Sequence, residues 1–558
     1  MNHIGRFFRK FRKENKFFLL VIGVFLFNTV LISQSHNNSD GINGNLVSVD
    51  WLEKNLTNKN VLIVDASNAM AYSKQHIPGA VNLDMFAYGG KEFPVQEVEQ
   101  RLQSLGISKE KKIVLYDRDA PMMAARIFYD LCYYGFPVNN LFILNGGFSK
   151  WQETGKAVSS EPTKTEKRGN YKIAKLNESV RVKLPEFLTA SADQKNNVLL
   201  EALDANWHYG QLQVFDRPGH IPFSVLMPRA DFFNPDKTFK SAEEIKKMLD
   251  YFGINSKQNI LTYCGGGIAA SVPFFALKFI LGFPNVKLFS ESELGWLQDE
   301  RMLPLWTYDA PYIIRNADWI KSWGGRMMRM YDIARVSLVD VRNADDFYKG
   351  HIPFALNVPI DLLKSNLLNE EKMKELLSAA GVNSSHEAVI ISENGLNESS
   401  ALAFLLLNYL GQNKVSVFVE SYEKGGIVPT KDTTALGPKK FPQDLSIPLT
   451  IYKGNTRKEV LIFKTEDIKG VSTRIFISSG KNKSDKFKDG KVSSLPFTDF
   501  STAGGQPKPA KDIWNILQTA GVPMYTELIC FADNPGEAAI NYFILKLMGF
   551  VDVKVMVI

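Results

Sequence analysis

The sequence predicts an α/β protein made of four tandem copies of one globular unit, each a central, mainly parallel sheet flanked by helices. Three observations predict it. The tripeptide His-Ile-Pro occurs three times, at His76, His220 and His351, in a chain with only 7 histidines. The spacings, 220 − 76 = 144 and 351 − 220 = 131 residues, are the size of whole domains and exceed the period of a solenoid. Each His is also followed, at a nearly constant distance, by an apolar strand and a loop: 117 − 76 = 41, 264 − 220 = 44 and 393 − 351 = 42.

The strands before these loops are expected at 113–116, 260–263 and 388–392, with the loops opening at Asp117, Cys264 and Glu393. A fourth copy lacks the His but keeps a strand at 528–530 and a loop opening at Phe531. An apolar helix follows each loop and stops at a glycine, Gly135, Gly282, Gly411 or Gly549, always 18 residues after the loop opens. Glycine just past a helix is the usual C-terminal stop signal. A further short strand follows, for example at 285–289 and 414–419. Strand, loop, helix and strand within about 30 residues read as a βαβ unit of a parallel sheet.

A chain of 558 residues suits four such domains, with 45% apolar and 22% charged residues as in ordinary globular proteins. The expected units are 45–160, 176–308, 311–428 and 446–558. Polar, Pro- and Gly-bearing linkers at 152–171 and 425–448 and a shorter junction at 305–318 suggest that the first two units form one pair and the last two another. Residues 1–35 differ: Arg6, Arg9, Lys10, Arg12, Lys13 and Lys16 precede an apolar run over residues 17–32. This reads either as an export signal or as an uncleaved N-terminal anchor, and both place the domains outside the cytoplasm, in the periplasm or cell envelope. Membrane contact is expected only through this segment. Its six cations less Glu14 account for +5 of the formal +7 charge, so the remaining domains are near neutral and give a nucleic-acid partner no electrostatic support.

The 3 cysteines lie in three different units. Cys132 falls in an apolar helix and Cys530 in a strand; both read as core residues. A disulfide framework is not expected, and neither a metal site nor a cofactor is predicted, since the histidines are dispersed and no Cys-x-x-Cys occurs. Cys264 ends a strand and opens the run Cys264-Gly265-Gly266-Gly267-Ile268-Ala269-Ala270-Ser271. Three glycines let the backbone turn its N–H groups inward as an anion-binding nest, and the helix that follows adds its positive end. A cysteine so placed is a nucleophile candidate, and the nest suits a persulfide or the charged oxygens of a sulfur donor.

At these residues the chain resembles the rhodanese-like sulfurtransferases. Leu62-Ile63-Val64-Asp65-Ala66-Ser67, His76-Ile77-Pro78-Gly79-Ala80, Val114-Leu115-Tyr116-Asp117 and Leu144-Asn145-Gly146-Gly147-Phe148 are similar to the inactive N-terminal half of the thiosulfate and 3-mercaptopyruvate enzymes. Gly219-His220-Ile221-Pro222 and the Cys264 loop resemble the catalytic half, and Val339-Asp340-Val341-Arg342 with Gly350-His351-Ile352-Pro353 a single rhodanese domain. The fourth copy is similar only in its strand–loop–helix pattern. The resemblance implies that Cys264 takes a sulfur from a small donor as a persulfide and passes it to a thiol, cyanide or a partner protein, with Gly265, Gly266, Gly267, Ile268 and Ala269 stabilising the charge. Asp65 and His76 match a proposed relay of the mercaptopyruvate enzymes, but Gly266 and Ala269 replace the serine and threonine of their loop, and Leu203 and Trp207 stand where their carboxylate-holding arginines fall. Asp117, Glu393 and Phe531 cannot form a persulfide, so the other copies are expected to be inert and to bind partners or support the fold. A non-catalytic binding or scaffold protein of rhodanese repeats is the alternative. A related phosphatase is set aside because the loop does not close on an arginine. The three His-Ile-Pro histidines, present in active and inactive copies alike, read as turn-forming residues bonded to backbone, His76 being the one expected to face the second unit.

Overall fold

A computed structural model describes residues 41–557 except 89–91, 166, 324–327, 330, 422–425, 437–445, 448, 469–473, 481–486 and 488–490. The basic and apolar segment 1–35 lies outside the described residues, as does much of the 425–448 linker. No described helix is long and apolar enough to cross a membrane.

Among the described residues, four sheets of five or six strands follow one another along the chain and share one strand order, beside a two-stranded pair, Ala435–Leu436 with Ser446–Ile447. In the second unit the order is Arg181–Val182, Val286–Phe289, Asn259–Tyr263, Asn197–Glu201 and Val225–Leu226, that is first, fifth, fourth, second and third along the chain. The third and fourth units repeat this order around Glu387–Ile391 and Glu527–Ala532. The first adds a short antiparallel strand, Ile42–Asn43, at its edge. All other pairings within these four sheets are parallel. Parallel sheets need cover on both faces, so their strands are apolar throughout. Accordingly Ile113, Val114, Leu115 and Tyr116 are all fully buried.

The helices after the loops end at the expected glycines. Gly135, Gly282, Gly411 and Gly549 have φ of +78°, +70°, +81° and +80°, a left-handed turn that a side chain would strain. The fourth unit departs from the sequence expectation at its loop. Its central strand continues through Phe531 and Ala532, which pair with Met556 and Val557. Phe531 is therefore not the first loop residue. Its ring is buried against Phe487, 4.9 Å away, and the gain from covering an aromatic surface extends the strand past the position where the other loops open.

The post-loop helices pack in pairs. Met122–Tyr133 of the first unit lies against Ser271–Phe275 of the second, with Phe128 4.9 Å from Phe275 and Tyr129 5.2 Å from Phe274. Glu398–Tyr409 of the third lies against Pro535–Leu547 of the fourth, with Phe404 4.9 Å from Phe543. The two pairs meet through the second and fourth units. There Tyr209 stacks on Trp514 at 5.1 Å and donates to the Met548 carbonyl, and the Trp514 indole donates to Asn206 Oδ1.

Candidate active site

Cys264 follows the central strand Asn259–Tyr263 of the second unit, and its chain is pinned on both sides. Its N–H donates to Ser292 Oγ (3.1 Å), its carbonyl accepts from Glu293 N–H (3.0 Å), and the Gly265 carbonyl accepts from Leu294 N–H (3.0 Å). The first unit repeats this bracing: Phe148 N–H bonds to the Asp117 carbonyl and Ser149 N–H to the Arg118 carbonyl. The bracing belongs to the fold and not to the chemistry.

What differs is the loop. Gly267 N–H donates to Cys264 Sγ at 3.1 Å. Among the described residues, the N–H groups of Gly265, Gly266, Ile268, Ala269 and Ala270 bond to no other group of the protein. A cluster of open amides around a thiol is an anion-binding concavity. Gly267 has φ +82°, and a Cβ there would stand 2.5 Å from the Ser290 carbonyl oxygen and 2.7 Å from Arg126 Nη1. At Gly265 a Cβ would meet the Phe215 ring at 2.6 Å, a side chain that could shift, whereas Gly266 has only Leu294 at 3.5 Å. Phe215 and Leu294 thus cover the loop. Cys264 is 2% exposed.

Sequence reasoning missed Arg126. This fully buried side chain of the first unit donates to the Gly267 carbonyl (3.0 Å) and to Ser290 Oγ (3.2 Å), with Asp130 as its counter-ion at 3.0 Å. The signal was present: arginine and aspartate interrupt an otherwise apolar helix. Ser290, Ser292, Phe215 and Leu294 had no such signal, because nothing local marks them as neighbours of Cys264.

Asp65 and His76 lie within the first unit. Asp65 accepts from Ser67 N–H, and both His76 ring nitrogens face backbone carbonyls, Tyr72 O at 2.8 Å and Glu161 O at 3.1 Å. The bonds of these two side chains stay in the first unit, so Arg126 is the first-unit side chain that bonds to the Cys264 loop. His351 is held like His76, by the Phe347 and Asp432 carbonyls.

The corresponding positions elsewhere are occupied differently. Asp117 is buried and its Oδ2 accepts from Met123 N–H (2.5 Å) and Ala124 N–H (3.1 Å), so a side-chain oxygen fills the first unit's nest. Burial outweighs these two bonds and pushes its carboxyl up to about 8. The unfolded chain releases this proton near pH 4 and the folded chain near pH 8, so the protein loses stability as pH rises through that window. Asp117→Asn removes this loss. The expected result is a smaller drop in urea midpoint between pH 5 and pH 8 for the variant than for the parent; equal drops would contradict it. In the third unit Glu393 is exposed, and its loop is closed by the fourth unit, with Leu396 N–H donating to the Gly505 carbonyl.

Beneath the second unit's His-Ile-Pro turn lies a buried charge network. His208 donates from Nδ1 to Glu201 (2.6 Å) and from Nε2 to Asp309 (2.9 Å), and its ring stacks on His220 at 3.6 Å. Although burial alone disfavours the imidazolium, the two carboxylates hold His208 up to about 10, while burial and the neighbouring His208 push His220 down to about 4. Glu201, His208 and His220 bring ligand-type atoms within 4.8 Å of one another. Yet both His208 nitrogens are already bonded, and the two rings are parallel within 2°, so their lone pairs do not converge on one ion. The cluster is accounted for as a charge-compensated hydrogen-bond network.

The Rhodanese-like domain family matches residues 48–154, 184–299 and 325–425. The sulfur carrier protein TtuD of Thermus thermophilus is 30% identical over 271 residues, 45% of this chain and 93% of that protein. The putative thiosulfate sulfurtransferase 1 of Mycobacterium bovis is 31% identical over 262 residues, 44% of this chain and 92% of that protein. Among solved structures, the Escherichia coli 3-mercaptopyruvate enzyme SseA is 25% identical, aligning over 45% of this chain and 99% of its own with a TM-score of 0.41. With the family matched in three separate segments, over more than half of its length, the chain belongs to the rhodanese-like sulfurtransferases.

Proposed function

We propose that the protein is an exported sulfurtransferase that moves a sulfane sulfur from a thiosulfate- or mercaptopyruvate-like donor to a thiophilic acceptor through a persulfide on Cys264. The observation that carries this reading is Cys264 Sγ at the centre of a loop whose amides are open except for the one aimed at the sulfur. With thiosulfate, the Cys264 thiolate attacks the outer sulfur. The Sγ–S bond forms, the donor's S–S bond breaks, and sulfite leaves with the electron pair. An acceptor such as cyanide then attacks the outer sulfur through carbon; the C–S bond forms as the Sγ–S bond breaks, and its electron pair returns to Cys264 as the thiolate. The loop amides stabilise the negative charge in both steps. Arg217, two residues beyond the Phe215 whose ring stands over Gly265, has Nε and one Nη without a hydrogen-bond acceptor, with Asp216 Oδ2 4.0 Å from Nε as its ion-pair partner, and is the cation of this segment that suits a donor's anionic group. The basic and apolar N-terminal segment supports an envelope location, with residues 17–32 as signal or anchor.

Incubation of the protein with thiosulfate, and separately with 3-mercaptopyruvate, tests the reading by intact mass. A gain of one sulfur atom (~32 Da) on Cys264, reversed by cyanide, is the expected outcome of covalent catalysis. No adduct with either donor would favour the binding-scaffold alternative.

A further inference from the structure

We propose that Arg126 is a positioning residue for Cys264: by holding the Gly267 carbonyl from the neighbouring unit, it fixes the loop conformation that aims Gly267 N–H at Sγ. This rests on the reading of Cys264 as the reactive group.

The repeat register isolates Arg126. It stands 126 − 117 = 9 residues past its loop opening, and the same offset in the other copies gives Pro273, Leu402 and Ile540. Its counter-ion Asp130, at offset 13, corresponds to Leu277, Leu406 and Ile544. Both positions are apolar wherever else the repeat occurs, as expected of a helix packed against a second helix. Only the first unit places an ion pair there, and that pair is buried at the junction with the second unit. A buried pair commonly contributes no more stability than apolar residues of similar size. Packing therefore does not explain it, and the bonds it makes across the junction do.

Those bonds converge on Gly267. Its N–H reaches Sγ at 3.1 Å while its carbonyl receives Arg126 Nη1 at 3.0 Å, and Nη2 fixes Ser290 Oγ beside it. Because the peptide following Gly267 is planar and trans, fixing its carbonyl on Arg126 turns the Ile268 N–H to the opposite side, away from the guanidinium. A left-handed glycine otherwise has wide conformational freedom, and one firm donor on its carbonyl removes much of it. Burial disfavours the guanidinium, but Asp130 and then Tyr129 favour its charged form, so the cation persists. The first unit, which carries Asp117 in place of a cysteine, thereby supplies a part of the second unit's site.

The test compares wild type, Arg126→Lys and the double variant Arg126→Leu/Asp130→Leu, which restores the apolar pair seen in the other copies and leaves no lone aspartate. Carbamidomethylation of Cys264 by iodoacetamide is followed by peptide mass, beside thermal unfolding and the kcat and KM of thiosulfate:cyanide transfer. The double variant is expected to melt at or above the wild-type temperature, with alkylation and kcat both lowered about tenfold and KM within about threefold. Arg126→Lys keeps the charge and a donor, and should recover at least about a third of the wild-type rates. A double variant that folds and is alkylated within about threefold of wild type, or faster, overturns the proposal, as does a natively melting Arg126→Lys that recovers nothing. If the double variant does not fold, Arg126→Lys alone decides. The alkylation readout needs no sulfur transfer, so failure of the enzyme reading and failure of this one are distinguishable.

Discussion

Cys264→Ser is expected to lower sulfur transfer by at least about 10³-fold, while Cys132→Ser and Cys530→Ser keep most of it. The loop and its amides would remain, but a serine hydroxyl cannot form the sulfur–sulfur bond that splits the reaction into two easy steps. The other thiols cannot substitute. Cys132 lies inside the helix that packs on the second unit, and burial pushes its thiol up to about 11; Cys530 is wholly buried mid-strand, where burial raises its thiol further. Each therefore stays protonated and out of reach of a donor. Thiosulfate:cyanide transfer rates and the ~32 Da adduct, measured on all three variants, check this. Comparable activity in Cys264→Ser would sink the persulfide mechanism, and loss of the adduct in Cys132→Ser with retention in Cys264→Ser would move the site.

The largest stability effect is expected at His208. Replacing it by alanine leaves the buried Glu201 and the largely buried Asp309, whose side chain is 15% exposed, without the imidazolium that bonds to both. Removal of one partner from a buried ionic network typically costs about 3–5 kcal/mol. Damage should spread to the junction between the two pairs, because the Asp309 carboxylate lies against Gly549, where a Cβ would be 2.6 Å from Asp309 Cγ, and the neighbouring Tyr209 bonds to Met548. The pH dependence has a definite sign. His208 keeps its proton in the folded chain up to about pH 10 and releases it near 6.5 when unfolded, so its contribution is full below 6.5 and is lost as pH rises through 10. Asp309 is held below its ordinary range, chiefly by His208 acting against burial, so that part of the stability is lost on acidification. In His208→Ala the stranded carboxylates gain by taking up protons. The deficit should thus be largest near neutral pH and shrink toward pH 4. Urea unfolding across pH 4–9 measures it; a deficit under about 1 kcal/mol at pH 7 would mean the network is not charged as described.

Legibility in the sequence followed the range of the interaction. The fold class was legible because its cues are local. A glycine 18 residues after each loop marks a helix end that needs a left-handed turn, and four-residue apolar runs such as 113–116 mark strands buried on both faces. Where a local cue misled, at Phe531, the cause was tertiary: an aromatic side chain found cover against Phe487 and Phe476, and the strand ran on through two residues that the register assigned to a loop.

The candidate site divides in the same way. Cys264 and its three glycines are consecutive, so the sequence by itself determined where a thiol meets a nest-forming backbone. The surroundings of that thiol were decided only by tertiary structure. Arg126 meets Gly267 across 141 residues of chain, and Phe215 and Ser292 approach from segments whose local sequence does not mark them as neighbours of Cys264. The Arg126 contact exists because the first and second units bury their post-loop helices against each other, and that docking depends on complementary surfaces formed after each unit folds; Phe215 and Ser292 reach Cys264 through the folding of the second unit itself. Periodicity, caps and glycines record the conformation a segment takes alone; which side chain crosses a domain junction to hold a distant carbonyl is set by the packing of whole units.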